Sequence, residues 1–590
     1  ISRSMVMNWL FPLLLLISTF ESAHAVTANP LPFQESQPDG SLVTLRVWGD
    51  EKFTWNTDDD GFTVLLDEDG WYVYADKIDG ALVSTGAIVG KSDPLDLGLI
   101  PHLHEDAAIL ELEEEEGIHH EESDGSRNLK QYVGTKGNPY ILHNLVVLIL
   151  FKDHAANKQR KNSLPAPATL EYLFNTPGGH KAYAKTGSMA DVFLQNSYGL
   201  FTIKSTITEW IEVPFTEAYV ADGRKGIGSH KMKEVVRWAM DELDRRGVLN
   251  APDFKGKQIP GLSIAHSGYG AEFGGTDMYG AKEINRFWSQ QMGMSKWTGA
   301  KSKSWASSIF ISSALFGTNG NEMARIGVWA HEAFHFIGLP DLYDSDRKYN
   351  AGAGVGNWDM MGNMWGLDGT QFWPPLLCSW SKERLGWAKA VVIDKPGRYN
   401  IIQACTSNQF YKITHGFPDK EYITIENRHP CLFDVKIREM GGLLILHVDE
   451  TGSVSRSTGG FMDYEKGGNP VPTKEFPKRH YMVAVMQADG RSQLEWHNGR
   501  GNFKDLFRKV ADDKGVHYIG DDGIKGFDEK RRTPIDRAWP NTKSWANGVL
   551  KSTGITISEI SAPGEMMSFK YSLGGSGGTG NNNNNNNNNN

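Results

Sequence analysis

The sequence predicts an α+β protein. A helix-and-strand domain is built around one metal-binding helix, with a β-rich unit on either side of it. Three observations predict this. His331-Glu332-Ala333-Phe334-His335-Phe336-Ile337-Gly338-Leu339-Pro340-Asp341 reads H-E-x-x-H-x-x-G-x-x-D. The segment before the central third has short strand-like runs separated by Asp-Gly turns, and the segment after it is β-rich with little helical periodicity. Between them, continuous apolar runs suited to buried strands alternate with amphipathic helical stretches.

The first 25 residues read as a secretory signal peptide. Met5 to Trp9 precede an apolar run, Leu10 to Ile17, and Ala23-His24-Ala25 supplies an A-x-A cleavage site. The run is too short to span a bilayer, and no later stretch is long enough, so no transmembrane anchor is expected. The mature chain is expected to start near Val26 and to be secreted.

Residues 26–100 form the N-terminal β-rich unit. Asp58-Asp59-Asp60-Gly61, Asp67-Glu68-Asp69-Gly70 and Asp79-Gly80 separate strands such as Phe62 to Leu66 and Trp71 to Tyr74. Hairpin turns explain these aspartates better than calcium loops, because the EF-hand spacing with a Glu at position twelve is absent.

Residues 101–136 form an acidic linker. The stretch 101–126 holds ten acidic side chains and no Lys or Arg, which accounts for the whole net charge of −10. The rest of the chain is therefore near neutral. Neither a nucleic-acid footprint nor a polybasic membrane patch is present. A solvated acidic linker is a natural place for proteolytic processing.

Residues 137–389 form the central domain. Leu145 to Phe151 is a continuous apolar run, expected as a buried strand, and residues 231–246 form an amphipathic helix. Leu262 to His266 is a further strand, followed by Gly268-Tyr269-Gly270. Residues from Asn321 onward contain good helix formers, with apolar positions at 323, 326, 330, 333, 334 and 337. The motif is thus expected on a helix with one buried face, starting near 321 and ended by Gly338 in a left-handed turn.

The motif carries the chemistry. His331 and His335 are four residues apart and share a helix face, so both rings can reach one metal ion. Glu332 beside them can take a proton from an activated water. A bare H-E-x-x-H arises by chance in roughly a few chains of this length per hundred, and the added Gly and Asp lower that by about two orders of magnitude. Zinc in a catalytic site needs three protein ligands and an open position. Asp341 is the expected third ligand. Asp344, or a Glu from a later helix as in thermolysin-type sites, are the competitors. This order of elements suits a zincin-type domain. Downstream, Gly356-Asn357-Trp358-Asp359-Met360-Met361-Gly362 is expected as a Met-containing turn whose Met361 underlies the two rings.

Residues 390–573 form the C-terminal β-rich domain, with strands at Tyr422 to Glu426, Gly442 to Asp449 and Tyr481 to Val485. His447 and Asp449 are read as polar strand-edge residues rather than a second metal site. Residues 574–590, glycine-rich and then ten asparagines, form a low-complexity tail. The three cysteines, Cys378, Cys405 and Cys431, allow at most one internal disulfide, and the pairing stays open. None precedes the motif, so no upstream thiol can block a zinc ion.

Several segments together resemble the immune inhibitor A type of secreted metallopeptidase. They are Gln37-Pro38-Asp39-Gly40, Trp48-Gly49-Asp50-Glu51, Asn196-Ser197-Tyr198-Gly199, the zinc segment His331 to Asp344, Trp358 to Gly362, Trp380 to Trp387, Glu426-Asn427-Arg428 and Leu444 to Glu450. The resemblance implies a metzincin-like catalytic domain in a secreted zymogen whose N-terminal unit is a pro-region. It implies zinc bound by His331, His335 and Asp341, with Glu332 as general base, acting on protein or peptide substrates. Metzincins carry His where this chain has Asp341. Structural calcium is common in such enzymes. After Phe254, however, the usual Asp- and Gly-rich turn is replaced by Lys255-Gly256-Lys257-Gln258-Ile259-Pro260-Gly261, and no calcium ligands are assigned. The alternatives are a zinc hydrolase of different specificity and a non-catalytic adhesion protein on the same scaffold.

Overall fold

The computed structural model describes residues 23–50, 54–103, 105, 129–343, 353–437, 441–450, 482–490, 493–494, 499–509, 518–520, 523–525, 542–544 and 551–574. The apolar run of the expected signal peptide, residues 104 and 106–128 of the acidic linker and all but the first residue of the low-complexity tail lie outside these residues.

The Leu145 to Phe151 run becomes the C-terminal part of the strand Tyr140–Leu150, in the middle of a seven-stranded mixed sheet. It is paired in parallel with Gly261–His266 on one side and with Phe201–Ile207 and Ile211–Glu212 on the other. Trp305–Ser313 extends the parallel part, and Gln290–Thr298 and Ala23–Ala25 add antiparallel strands at one end. A central parallel strand is covered on both faces, which is why this run is apolar without alternation.

Side chains alternate across the sheet. Leu145, Val147 and Ile149 enter one core, against Met232, Val236 and Met240 of the helix His230–Arg246. That helix is capped by Ser229, which accepts from Met232 N–H, and stopped by Gly247 at φ 81°. Val146 and Leu148 enter the opposite core, which holds Pro167–Phe174, Met189–Asn196 and the motif helix Ile326–Phe336.

Two expectations for the motif helix are corrected. It begins at Ile326, not near 321. Residues Glu322 to Ala324 are extended: Ala324 N–H donates to Ala314 O, Phe316 N–H to Glu322 O, and Met323 bridges Leu315. Pairing with the chain that leaves the preceding strand overrides their helix propensity, which is a weak preference. The helix is also buried on every side, not on one face. The sheet covers one flank, and the chain of residues 358–387 shares the same core around it.

The N-terminal unit is a six-stranded antiparallel meander from Phe33–Ser36 to Ala81–Ile88. Its aspartates make turns, as expected. Asp58 Oδ1 accepts from the N–H of Asp60 and Phe62, and Asp67 Oδ1 repeats this with Asp69 and Trp71. Asp79 and Gly80, at φ 50° and 88°, form the two-residue hairpin that joins Ile78 to Ala81.

The C-terminal third forms two five-stranded sheets over an isoleucine-rich core. In the strands Glu421–Arg428 and Gly442–Asp449, Ile423, Ile425, Leu443 and Ile445 face that core. Tyr422, Leu444, Leu446 and Val448 face the core of the motif helix instead. Cys405 and Cys431 are joined in a disulfide and Cys378 is a buried thiol. His447 lies in an interior strand, not at an edge, and its Nε2 is 2.8 Å from Glu421 Oε1.

Candidate metal centre

The motif helix places His331 and His335 one turn apart, with ring centroids 5.0 Å from each other. Its C-terminus closes as a Schellman turn. Gly338, at φ 92°, donates its N–H to His335 O, and Leu339 N–H reaches back to Phe334 O. A left-handed residue here reverses the chain, and three residues later Asp341 meets the helix it has just left. Asp341 Oδ1 lies 3.1 Å from His331 Nε2 and 3.4 Å from His335 Nε2.

The ring orientation is set by backbone acceptors. His331 Nδ1 is 2.9 Å from Met360 O, and His335 Nδ1 is 2.7 Å from Leu339 O. A carbonyl only accepts, so each ring carries a proton on Nδ1, and in the neutral ring this leaves the Nε2 lone pair, on the side of Asp341, for a metal ion. Three ligand atoms at the vertices of a tetrahedron with bonds near 2.1 Å stand about 3.4 Å apart. The two spacings to Asp341 match that edge, and the donor set of two imidazoles and one carboxylate suits zinc. Among the described residues, His331, His335 and Asp341 are the one group of three or more His, Cys, Asp or Glu side chains close enough to hold an ion.

Glu332 is fully buried beside this group. Asp344 lies outside the described residues. The one glutamate of the next α-helix, Glu383, accepts from Lys412 Nζ at 2.6 Å and is engaged elsewhere. Tyr343 is buried, and its ring stacks on His331 with centroids 6.3 Å apart and planes 25° from parallel.

The turn at 356–362 is bound to the motif helix through its backbone. Met360 O holds His331, Leu342 N–H donates to Met361 O, and both methionines lie in the core of the motif helix. Asp359 organises this turn. Its Oδ1 accepts Met361 N–H, and its Oδ2 accepts Cys378 N–H and Ser381 Oγ–H. Sequence reading passed over Asp359. A buried-turn signal was available, because an Asp two residues before a Gly-flanked Met can cap its own turn.

A second supporting group comes from the C-terminal sheet. Arg428 is fully buried and donates all five of its N–H bonds: to both oxygens of Asp434, to Glu426, and to the carbonyls of Trp358 and Leu376. Burial works against its charge, but Asp434 and Glu426 outweigh that and hold its pKa above the usual value. Burial raises the pKa of Glu426, with Arg428 opposing the shift. Sequence reading had Arg428 only as part of a family resemblance.

Residues 145–388 match the family described as immune inhibitor A peptidase M6, catalytic domain. The immune inhibitor A of Bacillus thuringiensis subsp. alesti is 28% identical over 344 residues, 50% of this chain and 48% of that protein. The pre-pro-metalloprotease PrtV of Vibrio cholerae serotype O1, strain M66-2, is 26% identical over 221 residues, 34% of this chain and 23% of that protein. The chain thus spans about half the length of the first relative and about a quarter of the second.

Proposed function

The chain belongs, through residues 145–388, to the immune inhibitor A peptidase family, and from that premise we propose that it is a secreted zinc-dependent endopeptidase made as a zymogen. In this reading residues 26–100 are a pro-region, 101–136 a linker, 137–389 the catalytic domain and 390–573 a C-terminal β domain. The observation that carries the proposal is the convergence of His331, His335 and Asp341, with Asp341 Oδ1 3.1 and 3.4 Å from the two Nε2 atoms, beside a buried glutamate.

His331, His335 and Asp341 would hold zinc, which supplies Lewis acidity toward a peptide carbonyl and an acidified water. The Nδ1–H bonds to Met360 O and Leu339 O fix both rings, so no reorganisation is needed to present Nε2. A carboxylate oxygen of Glu332 accepts the proton of the attacking water and returns it to the leaving amine nitrogen. The buried setting of Glu332 keeps bulk water from competing for that proton.

Secretion is supported by the signal-type N-terminus and by the Cys405–Cys431 disulfide, a bond that persists in oxidising compartments. No helix among the described residues is long and apolar enough to cross a membrane. The test is Glu332→Gln. It is expected to keep one bound zinc per chain and to lose cleavage of casein by at least about a hundredfold. Cleavage at the wild-type rate would sink the assignment. Activity on esters but not on peptides would point to the differently specific hydrolase.

A further inference from the structure

Residues just after the expected signal cleavage site are built into the core of the catalytic domain, not into the N-terminal meander alone. Val26 N–H donates to Ser289 O, continuing the ladder that Ala23–Ala25, the last residues before that site, make with Gln290 to Met292 at the edge of the main sheet. Val26 and Ala28 are fully buried in the core that holds the motif helix. Three large side chains of the catalytic and C-terminal parts close over this strip. Trp288 Nε1–H donates to Val26 O at 2.7 Å and Trp365 Nε1–H to Thr27 O at 2.9 Å. Arg500 donates to Thr27 Oγ1 and to Ala28 O. Buried Trp and Arg anchors of this kind carry most of the energy in stable interfaces.

The meander adds its own contacts. Phe33 packs in both the meander core and the main core. The pair Gly274 and Gly275, at φ 69° and 58°, leaves room for its ring; a Cβ on either would stand 2.9 Å from it. Lys225 Nζ donates to Thr54 Oγ1 and Thr276 N–H to Glu35 Oε1. Pulling this unit away would expose Val26, Ala28 and two tryptophan rings, and would strip partners from two indole N–H groups and a guanidinium.

We propose that residues 26–103 stay bound to the remainder as a non-covalent light chain after the connector at 104–128 is cut. The pro-region is then a permanent component, and processing changes its connection without releasing it. The strip also supports the metal site: Thr27 Oγ1 contacts Met364 Sδ, and Met364 O lies so close to Gly327 of the motif helix that a Cβ there would stand 2.3 Å away.

This proposal rests on the zymogen reading above, but its test needs no peptidase activity. A recognition sequence for a site-specific protease replaces residues 110–116 in the full chain carrying Glu332→Gln. The chain is cut and run on size exclusion at micromolar concentration. Expected are one peak holding both fragments, and separation only in denaturant. Two separate peaks without denaturant would overturn the proposal. Trp365→Phe, which keeps the ring and loses the bond to Thr27 O, is expected to speed fragment separation about tenfold on dilution. Co-elution with an unchanged separation rate in Trp365→Phe would overturn the interface as drawn. Casein cleavage by the uncut and cut chains with Glu332 intact is scored separately, so failure of the peptidase reading is distinguishable.

Discussion

His331 and Met360 are joined by a 2.9 Å hydrogen bond from ring Nδ1–H to a main-chain carbonyl, across 29 residues of sequence. The helix alone sets where His331 sits. This bond sets which nitrogen it offers and in what direction, so the turn at 359–362 is part of the candidate metal site although no atom of it is a candidate ligand.

Asp359→Ala tests that dependence. The substitution removes the acceptor for Met361 N–H, Cys378 N–H and Ser381 Oγ–H at once. Zinc affinity, measured by competition with a chromophoric chelator, is expected to fall 10- to 100-fold while the three ligands stay in place. An affinity equal to wild type would show that the ring needs no such support.

Asp341 is the site's third ligand in the present reading. Asp341→Ala leaves two imidazoles, too few for a stable zinc site. The variant is expected to lose stoichiometric zinc on gel filtration in micromolar chelator, as measured by atomic absorption. Asp341→His offers an alternative nitrogen ligand and is expected to retain zinc. Equal retention by the alanine variant would assign the third ligand elsewhere.

Arg428→Met removes a buried cation and leaves Asp434 and Glu426 facing each other without it. Breaking one side of a buried ion pair costs about 3–5 kcal/mol. The midpoint in urea is expected to drop accordingly. Arg428→Lys should recover only part of the loss, since one ammonium cannot serve five acceptors in the planar arrangement.

Stability should also fall as pH rises from about 4 to 7, through Asp505. Burial pushes its pKa from 3.8 up to about 7, although Trp358 Nε1–H and Asn502 N–H both donate to it. The folded state therefore holds this proton more tightly than the unfolded chain. The stabilisation is complete below the unfolded pKa and is lost as pH rises through the folded one, by at most about 4 kcal/mol. Asp505→Asn keeps an acceptor and cannot ionise. It is expected to gain stability over wild type at pH 8 and to be close to it at pH 4, as read from thermal midpoints. The same pH slope in both proteins would remove Asp505 as the cause.

Much of the site was legible because it is local. The i, i+4 spacing of His331 and His335, the reversal at Gly338 and the arrival of Asp341 all follow from chain geometry within eleven residues. The strand at 140–150, the helix at 230–246 and the Asp-Gly hairpins were legible for the same reason: hydrophobic period and turn chemistry act over a few residues. The start of the motif helix was misread, because residues 322–324 pair with the chain at 314–316.

What the sequence by itself determined is the candidate ligand set: two imidazoles and a carboxylate with a glutamate beside them, on a helix that ends at a glycine. The tertiary structure alone decided what holds them. The partnership of Cys405 with Cys431, the clamp of Arg428 on the turn at Trp358, and the bonds of Trp288 to Val26 and of Trp365 to Thr27 join residues from 26 to 338 positions apart. No local period records such contacts, because their energy comes from removing water between distant surfaces, and that is settled only when the whole chain has packed.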